Sequence, residues 1–208
     1  MSRRSRRCPP AHPATCRPSG YVWAFQRYVD GRQRLVAQTA NDILDTWGWI
    51  AYQAIGRGNP DFKLAAIYAE FANVASPGDT VAVPDFARSD SRAYYANLSS
   101  PRDYLRLPVV SDPALSVAAG FADSFTAGQG NQALFTAVTA GLTGINGLPF
   151  SEASNSVVYG VALVATPAWE DVTADVLYGR AYYTGAQQIP KTDDAQIALL
   201  WQQTWSFE

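Results

Sequence analysis

The only histidine, His12, stands between the only two cysteines in CPPAHPATC, with three residues on either side. Cys8, His12 and Cys16 are all residue types that ligate zinc, and a short loop could bring them round one ion. A closed site needs a fourth ligand, and none follows. Arg3, Arg4, Arg6, Arg7 and Arg17 and several prolines surround the group instead. The plainer reading is an unstructured basic tail, and no metal or other cofactor is assigned.

Confining histidine and cysteine to residues 1–20 removes whole classes of chemistry from the remainder. No Ser-His-Asp or Cys-His arrangement fits there, and no histidine is left to hold a catalytic metal. Lys63 and Lys191 are the only lysines, so Schiff-base chemistry has few candidates. GRGNPDFK has neither the spacing of a Walker loop nor that of a dinucleotide-binding turn. Carboxylates remain, and a glycosidase needs only two, roughly 5 to 10 Å apart. Glu70 stands out because it interrupts an apolar strand pattern. Glu152, Glu170 and Asp171 are loop candidates. A strand glutamate beside tyrosines is more often a solvent-facing residue or the partner of an arginine, such as Arg106 or Arg180, so no catalytic residue is assigned. Arg102 and Asp103 could pair locally and carry no function.

Aromatic residues form a second set: six Trp, eleven Tyr and nine Phe in 208 residues. Tyr94 and Tyr95, Tyr182 and Tyr183, and Trp169 lie in or beside loops, and Trp201, Trp205 and Phe207 on the closing segment. Such side chains stack on sugars, and they are equally favoured at protein interfaces. Tyr94, Tyr95, Trp169, Trp201, Trp205 and Phe207 are the candidate interaction residues, with another protein or a glycan as partner. The alternative is that they cover the ends of the fold.

The elements that carry them are mostly strands. AQIALLWQQTWSFE (195–208) alternates, with Ile197, Leu199, Trp201, Trp205 and Phe207 on one side and Gln203 as its polar break. KLAAIYAEFANV (63–74) sets Ala65, Ile67, Ala69 and Phe71 against Tyr68 and Glu70. SPGD is a turn, and TVAVP is a short strand stopped by Pro84. Residues 85–104 read as a polar surface loop with room for a helical turn near 92–97, and DYLRLPVV (103–110) as extended. SVAAGFADSFTA and NQALFTAVTAGLTG form a hairpin about GQG. SVVYGVALVATP is apolar on both faces and belongs in the centre of a sheet. ADVLYGRAYY puts Val176, Tyr178, Arg180 and Tyr182 on one face and Leu177, Gly179, Ala181 and Tyr183 on the other. One helix is expected near 41–56, capped by Asn41 or Asp42, with Ile43, Trp47, Ile50 and Ala54 on its apolar side and Gly56 or Gly58 at its end.

About eight strands with few crossover helices predict a mainly β protein: an antiparallel two-sheet sandwich, jelly-roll-like, with one early α-helix. Residues 1–20 form the disordered tail and 21–208 one domain. The tail carries five arginines and no acid, so its removal from the net charge of −2 leaves −7. An acidic body does not predict nucleic-acid binding. No run approaches a membrane span of about 18 apolar residues. MSRRSRR lacks the apolar stretch of a twin-arginine signal. A soluble protein made in the cytoplasm is the expectation.

EFANV, a polar loop with AYYANL, RDYLRLPVV, SVVYGVALVATP, DVLYGRAYY and QIALLWQQTWSF follow in order over about residues 40–208. In texture and strand order this series resembles the small virion proteins of tailed bacteriophages, as head, neck or tail components. The resemblance implies a non-enzymatic, β-rich building block that associates with itself and other virion proteins in the particle. It implies no catalytic residues. A charged content of 16% against the usual ~25% suits a surface that meets neighbours. The alternative is a carbohydrate-binding β-sandwich module.

Overall fold

The computed structural model describes residues 16–28, 30, 32–59, 62–76, 78–83, 104–109, 124–126, 130–138, 156–168, 170–190 and 195–207. Strands dominate. β1 (Cys16–Tyr28) and β2 (Gln33–Ala40) lead to the two-residue β3 (Asp42–Ile43). A short helix α1 (Trp47–Ala51) runs directly into one π-helical turn, Tyr52–Gly56. Then come β4 (Leu64–Asn73), β5 (Tyr104–Pro108), β6 (Ser124–Thr126), β7 (Gly130–Val138), β8 (Ser156–Ala165), β9 (Val176–Tyr182), β10 (Ile189–Pro190) and β11 (Ala195–Phe207).

Two antiparallel sheets form, ordered β2-β1-β11-β7-β6 and β3-β9-β8-β4-β5, with β10 pairing β8. Val22, Ala24, Ile197, Leu199 and Trp201 from the first sheet join Ile67, Ala69, Val161 and Leu163 from the second in one buried cluster. That shared core makes the pair a sandwich. The jelly-roll expectation goes further than this order, in which the consecutive strands β8 and β9 are neighbours within one sheet.

The closing segment is a strand along its described length, and it lies centrally, with β1 on one side and β7 on the other. Ile197, Leu199 and Trp201 enter the core as their alternation demands. Ala198 and Leu200, the apolar breaks on the other side, are also fully buried. Gln203, the polar break, is fully buried and satisfied. Its Nε2 donates to the Ser19 carbonyl at 2.8 Å, and its Oε1 accepts from Trp201 Nε1 at 3.4 Å. A methyl group at Gly179 would sit 2.9 Å from the Trp201 ring, so the glycine makes room for the indole.

Three expectations change. Cys16–Gly20 are not tail but strand, in register with Phe207–Gln203; their own propensity is poor, and the β11 ladder supplies the partner. Residues 1–15, including Cys8 and His12, lie outside the described residues. The helix starts later than expected, because Asp42 and Ile43 pair with Arg180 and Gly179. Thr46 precedes it, and the Thr46 hydroxyl donates to the Leu177 carbonyl rather than capping the helix. Gly58, at φ 61°, takes the left-handed conformation past its end. Residues 80–83 of the TVAVP segment are not strand; the Gln188 carboxamide instead clamps both backbone groups of Val81, at 2.8 and 2.6 Å.

The strict alternation expected of β9 also fails. The register against β8 passes from Val164–Leu177 to Leu163–Gly179, which leaves Tyr178 as a bulge. Beyond it the faces exchange. Ala181 and Tyr183 enter the main core with Val176, while Arg180 and Tyr182 lie on the other face.

Candidate functional site

The face of the second sheet turned away from the main core carries the charged groups the sequence offered for chemistry. Register places them in two rows. Tyr104, Glu70, Gly160 and Tyr182 lie side by side on β5, β4, β8 and β9. Arg106, Tyr68, Ala162 and Arg180 form the next row. β8 contributes only Gly160 and Ala162 to the two rows, so long side chains from β4 and β9 meet above it. A methyl group at Gly160 would fall 2.8 Å from the Tyr182 ring and 3.0 Å from the Glu70 carboxylate. Tyr159, left as a bulge where Glu70–Gly160 gives way to Phe71–Val158, stacks on Tyr182 at 6.2 Å.

Arg180 Nε lies 3.4 Å from Glu70 Oε1, and its guanidinium stands 5.6 Å from the centre of the Tyr182 ring. Arg180 is fully buried and Glu70 is 1% exposed, so Glu70 is not the solvent-facing residue the alternation allowed. Of the two partners the sequence offered Glu70, the structure selects Arg180. Arg106 instead binds Asp175 through Nε and Nη2, both at 2.7 Å. The Tyr68 hydroxyl donates to the same Asp175 carboxylate, at Oδ2. Asp175 is 1% exposed, and such a bidentate charge-assisted pair is among the stronger polar contacts a protein makes.

Burial, reinforced by the hydrogen bond to Asp175, holds the Tyr68 hydroxyl far above its usual range. Burial also raises Tyr104, and the Asp175 charge adds to it. Burial alone raises Tyr183. In this arrangement both carboxylates face arginines and present almost no surface. The cluster therefore ties β4, β5 and β9 together as a polar clasp.

The raised hydroxyls fix a pH dependence. In the unfolded chain Tyr68 and Tyr183 ionise near pH 10, whereas the fold keeps them neutral. Their contribution is therefore fully present below that pH and is lost as pH rises above it. Tyrosinate absorbance should reveal a class of tyrosines that titrates only together with alkaline unfolding. Titration of every tyrosine while the fold persists is the contrary result.

The six predicted interaction residues fare differently. Trp201 is fully buried in this chain's own core and offers no surface to a partner. This corrects its place in that set, and Tyr183, expected beside a loop as an exposed aromatic, is likewise fully buried in the core. Trp205 and Phe207 sit on β11, opposite Pro18 and Cys16. Tyr94, Tyr95 and Trp169 lie outside the described residues, as do Glu152, Arg102 and Asp103. Glu170 and Asp171 are exposed, and Asp171 accepts hydrogen bonds from Thr173 that lower its pKa.

Exposed apolar groups occur where the sequence reading did not look. Trp49, Tyr52 and Ile55 are 44, 51 and 84% exposed on the helical segment. Trp49 packs edge-on against Phe62, and Arg57 lies over the Tyr52 ring. Tyr21 and Leu35 are exposed on the first sheet. The signal available was the three-residue spacing of 49, 52 and 55, opposite the Ile43–Ile50 side. No helix among the described residues is long and apolar enough to cross a membrane. No family model, no curated protein and no solved structure matches the chain.

Proposed function

We propose that this protein is a non-enzymatic structural subunit that works by association with copies of itself and with other proteins of a particle, as a small component of a tailed-bacteriophage virion. The observation that carries this reading is the stripe of Trp49, Tyr52 and Ile55, three large side chains left in solvent on one helical segment. Apolar side chains exposed together mark contact sites, whereas ones scattered singly need no explanation, and these three recur at three-residue spacing on one segment. The resemblance in strand order, the low charge and the use of Glu70 and Asp175 in ion pairs all agree with it.

Size-exclusion chromatography with light scattering tests the reading. The expected mass is a multiple of the 22.6 kDa chain, falling when Trp49 and Ile55 are both replaced by serine. A strictly monomeric protein that binds a glycan array would instead establish the carbohydrate-binding alternative. Genes for portal, capsid or tail proteins beside its own would support the virion assignment.

A further inference from the structure

Among the described residues the two sheets end on four strands, β2 and β6 in the first and β3 and β5 in the second. A sheet edge bares backbone N–H and C=O groups, and proteins blunt it with shortness, charge, proline or a bulge. β3 has two residues and β6 three. β5 has five, including Arg106 and Pro108. β2 has eight, and after Arg34 it reads LVAQTA, without a charge or a proline. Its one irregularity is a bulge at Val36, where the register against β1 steps from Ala24–Ala37 to Phe25–Leu35. Among the described residues its ladder runs to β1 alone.

A groove follows this edge, lined by Tyr21, by Leu35 through Ala40 and by Gln187. Tyr21 and Leu35 are 48 and 49% exposed. They mark its two ends, since Tyr21 pairs with Ala40 and Leu35 with Phe25. Tyr21, Trp23 and Phe25 alternate along β1 and so share a face. Their partners Ala40, Gln38 and Leu35 share that face with them.

We propose that β2 pairs antiparallel with β2 of a second copy of this chain, across a two-fold axis at Gln38, making one continuous sheet from two. The inference rests on the association reading above and adds to it a second self-contact, apart from the stripe of Trp49, Tyr52 and Ile55. The edge is self-complementary. With the bulged Val36 set aside, an axis at Gln38 puts Ala37 opposite Thr39, Leu35 opposite Ala40 and Arg34 opposite Asn41. Leu35 of each copy then meets Ala40 and the neighbouring Tyr21 of the other, so both exposed apolar groups are covered twice over. Arg34, the only charge on the strand, falls at opposite ends of the ribbon, whereas parallel pairing would align the two arginines. A contact in which one patch meets itself is the commonest way soluble proteins form closed dimers.

The test uses the full chain. Leu35→Lys with Gln38→Lys places two lysines on the edge and should raise the dissociation constant at least about tenfold, read as a fall in mass by light scattering. Circular dichroism checks that the variant is folded. Residues facing each other across an antiparallel pair lie about 4.5 to 5.5 Å apart, within disulfide range. Gln38→Cys, with Cys8 and Cys16 replaced by serine, should therefore form a cross-linked dimer on mild oxidation, while Glu170→Cys in the same background should not. The pairing requires both results. A wild-type assembly that survives the double lysine variant, or a Gln38→Cys protein that stays uncross-linked, overturns the pairing and leaves the association reading standing. A wild-type chain that is monomeric at every concentration overturns both.

Discussion

Replacing Glu70 by alanine should cost about 3 to 5 kcal/mol of stability, and Arg180→Ala about as much, because each removes an ion-pair partner from a fully buried charge. At 1% and 0% exposure neither group has water to fall back on. The comparison that separates pairing from packing is the double variant Glu70→Leu, Arg180→Met. Two apolar side chains of similar volume remove both desolvation penalties together, so its stability should return close to wild type or exceed it. Urea unfolding midpoints measure all three proteins. Single variants that lose less than about 1 kcal/mol would match a surface pair and defeat the account of this cluster as a clasp.

Deletion of residues 203–208 should abolish the cooperative unfolding transition or the assembly that depends on it. Of these, residues 203–207 pair with Cys16–Gly20 on one side and 203–205 with Asn131–Ala133 on the other. Their loss also removes the Gln203 contact with Ser19. Trp201→Ala is the graded comparison: a large buried aromatic truncated to a methyl group costs about 3 to 5 kcal/mol, and the variant should still fold. Near-UV circular dichroism reads both. A truncated chain that keeps its signal, its midpoint and its mass would show that the terminal strand holds nothing together.

What could be read from the sequence was whatever a two-residue period expresses. β4, β8 and β11 announced themselves through alternation or unbroken apolar runs, and Ile197, Leu199 and Trp201 took their places in the core. Bulges were not legible, since the extra residue at Tyr178 or Tyr159 is decided by the neighbouring strand's register. One bulge was enough to exchange the faces of Arg180 and Ala181. Cys16–Gly20 read as tail because arginine, proline, serine and glycine do not favour strands, and only a partner far along the chain overrides that. Glu70 could be given two arginines but not the choice between them, which depends on Ala162 and Gly160 lying between β4 and β9. Asp175 was missed altogether. It precedes a strand as loop acids often do, and nothing nearby in sequence signals that Tyr68 and Arg106 converge on it.

The pairing of β1 with β11 also has a consequence in time. Ser19 and Gln203 are 184 residues apart in the chain and touch in the fold. Closing so long a loop comes before any reward from the ladder, and proteins dominated by such distant pairings fold slowly. β2 can join β1 early as a hairpin, but one edge of β1 then stays bare. Trp23 and Phe25, both buried in the finished protein, have to wait with it. The strand that ends in the middle of the first sheet thus sets the clock for that sheet, and crowding during this interval is when wrong strand partners have their opportunity.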